Sequence, residues 1–267
     1  MLPTTTQLAT EPDAPQLRAA ARSDATKIFE LMTRVFANRA LPYTIYQAPE
    51  SVRHIESLIG ADHSDHRFAV LECESKLVAF YEALIKADDC FLSYIATDPS
   101  VAGHGFGSRL LRDCERMGRT FGCQRLGLDV FLSNVRAVDW YQRVGFQTQL
   151  ITNLSRVLLQ TVLISQAFDL KVASEDLERA VTEEIQWGFS KVSGKCGMGQ
   201  ISVGLIDRHC CKILAFDGLT LTQAAASVAA LFSGRRDVLI IPSTQPLGAG
   251  WDIVSSEAVL RMVKPLD

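Results

Sequence analysis

Apolar positions recur along this chain with two periods, and the switches between them predict its elements. Gln16–Ala21 reads as a first strand, and Ser23 or Asp24 suits the cap of a helix whose Ile28, Leu31, Met32, Val35 and Phe36 share one face. Glu50–Ile59 repeats that spacing with Val52, Ile55, Leu58 and Ile59. Phe68–Cys73 and Leu77–Lys86 read as a hairpin across Glu74–Ser75, followed by a strand at Phe91–Ala96. A helix is predicted from Ser108, striped with Leu110, Leu111, Cys114, Met117 and Phe121. Then come a strand at Arg125–Phe131 and a helix at Val135–Val144, closed by Gly145–Phe146. The remainder reads as a strand (Gln149–Leu159), a connector (Ser165–Val172), a helix (Ser174–Trp187), strands at Gln200–Ile206 and Cys211–Phe216, a helix (Thr220–Phe232) and an apolar strand (Asp237–Ile241). Gly188–Gly199, with Gly194, Gly197 and Gly199, reads as a hairpin loop.

The stretch Tyr94–Leu111, YIATDPSVAGHGFGSRLL, carries the strongest chemical signal. A strand breaks at Asp98–Pro99 into a loop with Gly103, Gly105 and Gly107, and a helix follows. Glycines let backbone approach a ligand, and a helix start offers N–H groups without intrahelical partners together with the positive end of the dipole. A phosphate or pyrophosphate fits such a place. Ser108–Arg109 after the last glycine lacks the Lys-Ser/Thr of a triphosphate loop, and Ser108 stands where a dinucleotide fingerprint opening at Gly103 needs Gly or Ala. A glycine-rich turn that binds nothing is the alternative.

Composition narrows the classes. With 267 residues, 48% hydrophobic and 21% charged, the chain is long enough for one large or two modest domains with a sizeable core. A net charge of −3 carries no basic footprint for nucleic acid, and no apolar run reaches the length of a membrane span. Seven cysteines without CxxC spacing point to reduced thiols in a cytosolic protein rather than to disulfides or zinc. Asp62, His63, Asp65 and His66 invite a metal reading, but one short polar loop without a further ligand cluster reads as solvated surface, so no metal is expected.

Two motifs in sequence order carry a resemblance. Ala102-Gly103-His104-Gly105-Phe106-Gly107 follows the strand-and-turn Ile95-Ala96-Thr97-Asp98-Pro99, and LGLDVFLSNVRAVDWYQRVGF runs from Leu126 to Phe146. Together they resemble the coenzyme A loop and the second motif of the GCN5-related N-acetyltransferase (GNAT) superfamily, over about residues 17–158. The resemblance implies a mixed α/β sheet, the GNAT acyl-CoA N-acyltransferase fold, for residues 17–160. Before it stands a flexible leader (1–16), and after it a smaller α/β domain (161–267). It implies acetyl-CoA as cosubstrate and a primary amine as acceptor. The pyrophosphate would lie on Gly103, His104, Gly105, Phe106, Gly107 and Ser108, and the pantetheine arm on the strand edge at Ile95, Ala96 and Thr97. The family's usual Arg or Gln at the first loop position is here Ala102, which implies weaker coenzyme binding.

For the chemistry, the resemblance makes Tyr141 the group that protonates the leaving sulfur, with a core residue as its other reading. Asp129 aligns with a carboxylate that serves as general base in some members, although strand alternation also permits plain surface exposure. Glu82 and Tyr94 are rival bases. Asn134 either contacts the coenzyme or caps the helix from Val135. Tyr43 and Tyr46 are either acceptor-pocket residues or packed loop aromatics. A serine or cysteine hydrolase finds no nucleophile elbow, and neither Cys90 nor Cys123 has an evident histidine partner.

The ending AVLRMVKPL from Ala258 echoes NLSRVLLQ at Asn153–Gln160. That echo suggests that 161–267 is a degenerate second copy of the first half without its coenzyme loop. Such a copy could occupy the place of a partner subunit, so a monomer or a homodimer is expected. The reading from a different class is an acyl-CoA-binding regulatory module without turnover.

Overall fold

The computed structural model describes residues 14–36, 40–61 and 65–266. The larger part of the expected leader, and Asp62 and His63 of the histidine-rich loop, lie outside them. Helices α1 (Ala25–Phe36), α2 (Ser51–Ile59), α3 (Phe106–Thr120), α4 (Val135–Arg143), α5 (Ser174–Trp187) and α6 (Leu221–Phe232) pack on one mixed sheet. Its strands are β1 (Gln16–Ala19), β2 (His66–Cys73), β3 (Lys76–Lys86), β4 (Asp89–Thr97), β5 (Arg125–Phe131) and β6 (Gln147–Leu158), then β7 (Leu170–Lys171), β8 (Phe189–Cys196), β9 (Gly199–Ile206), β10 (Cys210–Asp217), β11 (Val238–Ser243) and β12 (Ile253–Pro265).

The twelve strands run in the order β1-β2-β3-β4-β5-β12-β6-β11-β10-β9-β8-β7. Read outward from its centre, this order is the same architecture twice. β4 and β5 are parallel, as are β10 and β11, and every other neighbouring pair is antiparallel. Each set is closed by a strand from the other end of the chain. β12 lies against β5 of the first set, and β6 lies against β11 of the second. β12 and β6 then pair with each other through the middle, where Ala258 meets Asn153. The two stretches whose sequences echo each other are therefore neighbours in the sheet.

Burial explains why the exchange holds. Leu260, Met262 and Leu266, from the chain's end, sit in the core that α3 and α4 form with β3, β4 and β5. Lys264 donates to Glu115 on α3 at 2.7 Å, so the last strand is tied to that helix as well. α1 and α2 cover the opposite face of β2–β4 with Ile28, Leu31, Met32, Ile55 and Phe80. The second set has its own core around α6, where Ala224, Ala225, Val228 and Phe232 meet Val203, Leu205, Ile213 and Leu239. A smaller cluster of Tyr43, Ile206, Cys210 and Ile240 joins the two sets.

Two expectations need correction. α3 begins at Phe106 rather than Ser108, because Gly105 with φ +76° turns the chain into the helix two residues earlier. Gly188–Gly199 is mostly strand. Ser190, Val192 and Cys196 of β8 alternate inward, and only Gly197–Met198 turn the hairpin. Gly194 is needed because β7 crosses so closely that a Cβ there would lie 2.7 Å from the Lys171 carbonyl.

If the chain's end is core to the first set, Met262→Ala, which empties a wholly buried site, should cost about 2–5 kcal/mol in urea denaturation. A loss below about 1 kcal/mol would contradict the packing described.

Candidate active site

The strand and helix that flank the glycine loop are positioned by the sheet. β4 and β5 pair only from Asp89–Arg125 to Leu92–Leu128, and beyond that point they separate. The cause lies partly in β4, where Glu82 faces Tyr94 and Ala83 faces Leu92, leaving Ser93 as an unpaired bulge residue. A bulge bends its strand and strengthens the local twist. On its other side β5 is held along its full length by β12, so β5 does not follow β4. Strand groups alternate in direction. The Asp98 N–H donates to the Val78 carbonyl at 2.8 Å, so by register the amide groups of Ala96 face β3 and those of Ile95 and Thr97 face the gap. Ala96 also turns its side chain into the core beneath α1. Of the three edge residues expected to meet a ligand, Ile95 and Thr97 turn their backbone groups to the gap and Ala96 turns away from it.

The loop after β4 is braced from several directions. Asp98 accepts from the Ser100 N–H at 2.9 Å and hydroxyl at 2.7 Å, and Arg34 of α1 donates to it at 2.8 Å. These donors hold its carboxyl below the usual carboxylate range, the serine hydroxyl most strongly. His104 folds back, its Nδ1 3.1 Å from the Val101 carbonyl and 3.3 Å from that of Ala102. It braces the loop beside the alanine that stands where the family has a longer side chain. Gly103 (φ +86°) and Gly105 (φ +76°) take left-handed conformations that other residues adopt at a cost. Gly107 is different. Its φ is ordinary, and a Cβ would make only van der Waals contact with Thr97 and Trp140 at 3.8 Å. No protein neighbour demands a glycine there.

The first turn of α3 has no side-chain cap and no acidic residue. Its first intrahelical bond runs from the Arg109 N–H to the Gly105 carbonyl, so the N–H groups of Phe106, Gly107 and Ser108 precede the helical ladder. The corresponding helix of the second set is closed. Thr220 accepts from the Gln223 N–H at 3.2 Å, and Gln223 accepts from the Thr220 N–H at 2.9 Å.

Between the two sets lies a cavity of about 630 Å³, within the usual range for small-molecule sites. It opens along the gap, at Ile95, Thr97, Gly107, Asn134 and Tyr141, and runs inward to Glu82, His54 and His66. Phe189 and Lys212 of the second set close it.

Tyr141 is 5% exposed, edge-on to Phe146 at 5.5 Å, and its hydroxyl makes no hydrogen bond among the described residues. Burial, reinforced by the Cys114 sulfur, pushes its phenol well above the ordinary value, so it stays protonated. Asn134 caps α4 by accepting from the Ala137 N–H at 3.3 Å, and it also lines the cavity. Asp129 faces the cavity but is held on both oxygens by the Arg261 guanidinium, at 2.8 Å on Oδ2.

The sequence reading ranked Glu82 as a rival base, and its surroundings were not legible there. Glu82 is 4% exposed, accepts from the Tyr46 hydroxyl at 2.9 Å, and lies 2.8 Å from His66 Nδ1. Tyr46 is thus core, holding Glu82, whereas Tyr43 lines the cavity and donates to Ser255 of β12 at 2.9 Å. Burial and the charge of Glu82 push the Tyr94 phenol up, which leaves it a poor base. His66, by sequence part of a polar loop, is a strand residue at the carboxylate. Among the described residues no cluster of three or more His, Cys, Asp or Glu side chains could hold a metal ion. No described helix is long and apolar enough to cross a membrane.

A splayed parallel pair, an uncapped glycine-bounded helix start and a buried tyrosine on the following helix thus meet at one cavity. Residues 27–146, from within α1 to just beyond α4, match the model of the Acetyltransferase (GNAT) family. The mixed α/β architecture is that of the GNAT acyl-CoA N-acyltransferase fold, found in similar form in several solved structures. A tandem GNAT protein from the clavulanic acid biosynthesis pathway is 11% identical, covers 95% of this chain and 99% of its own, and has a TM-score of 0.68. A GCN5-related N-acetyltransferase from Sphaerobacter thermophilus is 14% identical over 96% of this chain and 97% of its own, with a TM-score of 0.64. One from Kribbella flavida is 12% identical over 94% and 71%, with a TM-score of 0.56. No curated protein matches the sequence significantly.

The cavity also has a pH signature. Burial lowers the pKa of His54, which sits against Phe189, below its ordinary value of 6.5. A depressed folded-state pKa means that the unfolded chain takes the proton first as pH falls. The contribution of His54 is therefore whole above about pH 6.5 and is lost below it, at up to about 1.4 kcal/mol per pH unit. Urea denaturation between about pH 7.5 and about pH 5.5 should show a smaller stability loss for His54→Gln than for the parent. Equal losses would mean that the ring is solvated.

Proposed function

We propose that the protein is an N-acetyltransferase that moves the acetyl group of acetyl-CoA to a primary amine by direct attack within a ternary complex. The observation that carries this reading is the alignment of the uncapped start of α3, the open edge at Ile95 and Thr97, and the unpartnered Tyr141 hydroxyl along one cavity. A diphosphate suits the N–H groups of Phe106, Gly107 and Ser108, with the helix dipole behind them. Gly103 and Gly105 shape that bend, His104 braces it, and the bare Gly107 leaves room for a ligand to approach. The amide-bearing arm of the coenzyme suits the gap as a pseudo-strand, since it satisfies the edge groups of Ile95 and Thr97.

Three proton and charge movements remain. The amine must lose a proton, the thioester oxygen must be stabilised as it gains charge, and the departing sulfur must be protonated. Tyr141, kept neutral by burial, serves as proton donor to the sulfur. The N–H groups at the β4 edge serve the oxygen. For the amine we favour Glu82 over Asp129. Asp129 already shares both oxygens with a guanidinium, whereas Glu82 is oriented by Tyr46 and His66 at the inner end of the cavity. The acceptor's amino group would then lie toward the wall that the second set contributes, away from the glycine loop.

The tests are kinetic. Tyr141→Phe should lower kcat at least about 100-fold with coenzyme A affinity unchanged, as expected for loss of a general acid. Glu82→Gln should lower kcat about 10²- to 10⁴-fold, and Asp129→Asn should have a smaller effect. The reverse ranking would return the role of base to Asp129. Ala102 and the occupied Asp129 carboxylate favour the second reading, a binding module without turnover. That reading predicts coenzyme A binding by calorimetry with no thiol release in the presence of any amine.

A further inference from the structure

The two-fold repetition of the sheet sets up a comparison that isolates a pair of cations. β11 stands to β6 and β10 as β5 stands to β12 and β4. In the first set Arg261 of β12 lies opposite Asp129 of β5, and the two form a bidentate ion pair. The matching arginine of the second set is Arg156 of β6, and the residue opposite it on β11 is Ile240. The carboxylate has been replaced by an isoleucine while the arginine remains. Arg156 Nε is buried with no hydrogen-bond partner, and Arg156 makes no ion pair among the described residues.

On the far side of Ile240 lies Lys212 of β10, in direct register with it. Lys212 lines the cavity and makes neither an ion pair nor a hydrogen bond among the described residues. Register partners point to the same face of a sheet, and neighbouring strands are about 4.8 Å apart. Two long basic side chains thus flank one apolar residue on the cavity face. Asp129, the carboxylate whose charge Lys212 feels most, is committed to Arg261. Glu257, diagonal to Arg156 on β12, forms no ion pair with it. Burial lowers the pKa of Lys212, the expected response of an ammonium that lacks a counter-charge. Neighbouring unpaired cations, one of them on the cavity wall, are costly unless a ligand supplies the anion.

We propose that the acceptor is a small amine that also carries a carboxylate, with Lys212 and Arg156 of the second set binding the carboxylate while its amino group reaches Glu82. This rests on the acetyltransferase reading and extends it to the substrate class. The second set, whose capped α6 offers no comparable anion site, then contributes specificity instead of a second catalytic centre. No bond is made or broken at the cation pair. Its part is to bind and orient, so its loss should appear chiefly in KM.

The test measures thiol release from acetyl-CoA with amino acids of differing chain length, each beside its carboxamide. The parent should prefer acids over amides by about 10- to 100-fold in kcat/KM, the scale of a charge-assisted contact. Lys212→Met and Arg156→Met should each shrink that preference, chiefly by raising KM for the acids. Calorimetry of the same acids, with the protein saturated in coenzyme A, reads binding independently of turnover. Turnover of acids and amides alike, unchanged in Lys212→Met, would overturn this inference and leave the acetyltransferase reading standing. Acid binding that Lys212→Met abolishes, without thiol release from any amine, would support the cation pair and overturn the enzyme reading. Neither release nor acid binding would overturn both.

Discussion

The structure depends on two parallel strands that stop pairing. β4 and β5 share four register positions and then part, and the open edge they leave would be an aggregation hazard on an ordinary surface. Here each strand is secured on its outer side. β3 follows β4 as far as Thr97, and β12 follows β5 as far as Phe131. A gap with firm walls is a different object from a frayed sheet: its unpaired groups stay aligned and available to a ligand. The exchange of β12 and β6 is the device that secures β5. The far end of the chain must arrive before the first set is complete.

That exchange marks the boundary of what could be read in the sequence. The helical stripes of α1, α3 and α4 and the apolar runs of β2 and β3 are local signals, and each element appears within two residues or so of where its pattern places it. The glycine loop was legible because φ > 0 at Gly103 and Gly105 leaves a residue-type signature. The similarity of AVLRMVKPL to NLSRVLLQ was legible too. Its consequence was not, since a strand with the same inward pattern fits the edge of either set, and nothing local says which set it joins. β8 was hidden for another reason. Its exposed lysines and the Gly194 crossing gave a loop-like composition to a strand whose inward positions are small or aliphatic.

The candidate site divides along the same line. Tyr141, Asn134 and the loop amides belong to contiguous motifs and could be named from them. Glu82 could be suspected, but the Tyr46 hydroxyl and His66 Nδ1 that hold it come from a turn and a strand 36 and 16 residues away in sequence. The partner of Asp129 was just as invisible. The guanidinium that occupies it lies 132 residues further on. Ala96 shows the limit of motif transfer in the other direction, since a residue in the middle of a conforming stretch faces β3 and the core.

Repetition of an architecture makes its differences informative. In both sets a helix joins the parallel pair, but α3 begins on a bare glycine turn while α6 begins with a reciprocal Thr220–Gln223 cap that satisfies two N–H groups of its own start. One helix start is left open to a ligand and the other is closed by its own side chains. The charge at the matching positions opposite β12 and β6 diverges the other way: Asp129 neutralises its arginine, and Ile240 leaves its arginine without a carboxylate. A set kept only as a scaffold would be expected to neutralise or lose a buried cation, because retaining one without a partner is destabilising. The second set has closed its helix start and kept its unpaired charge, and those two changes together suit a wall that recognises an acceptor.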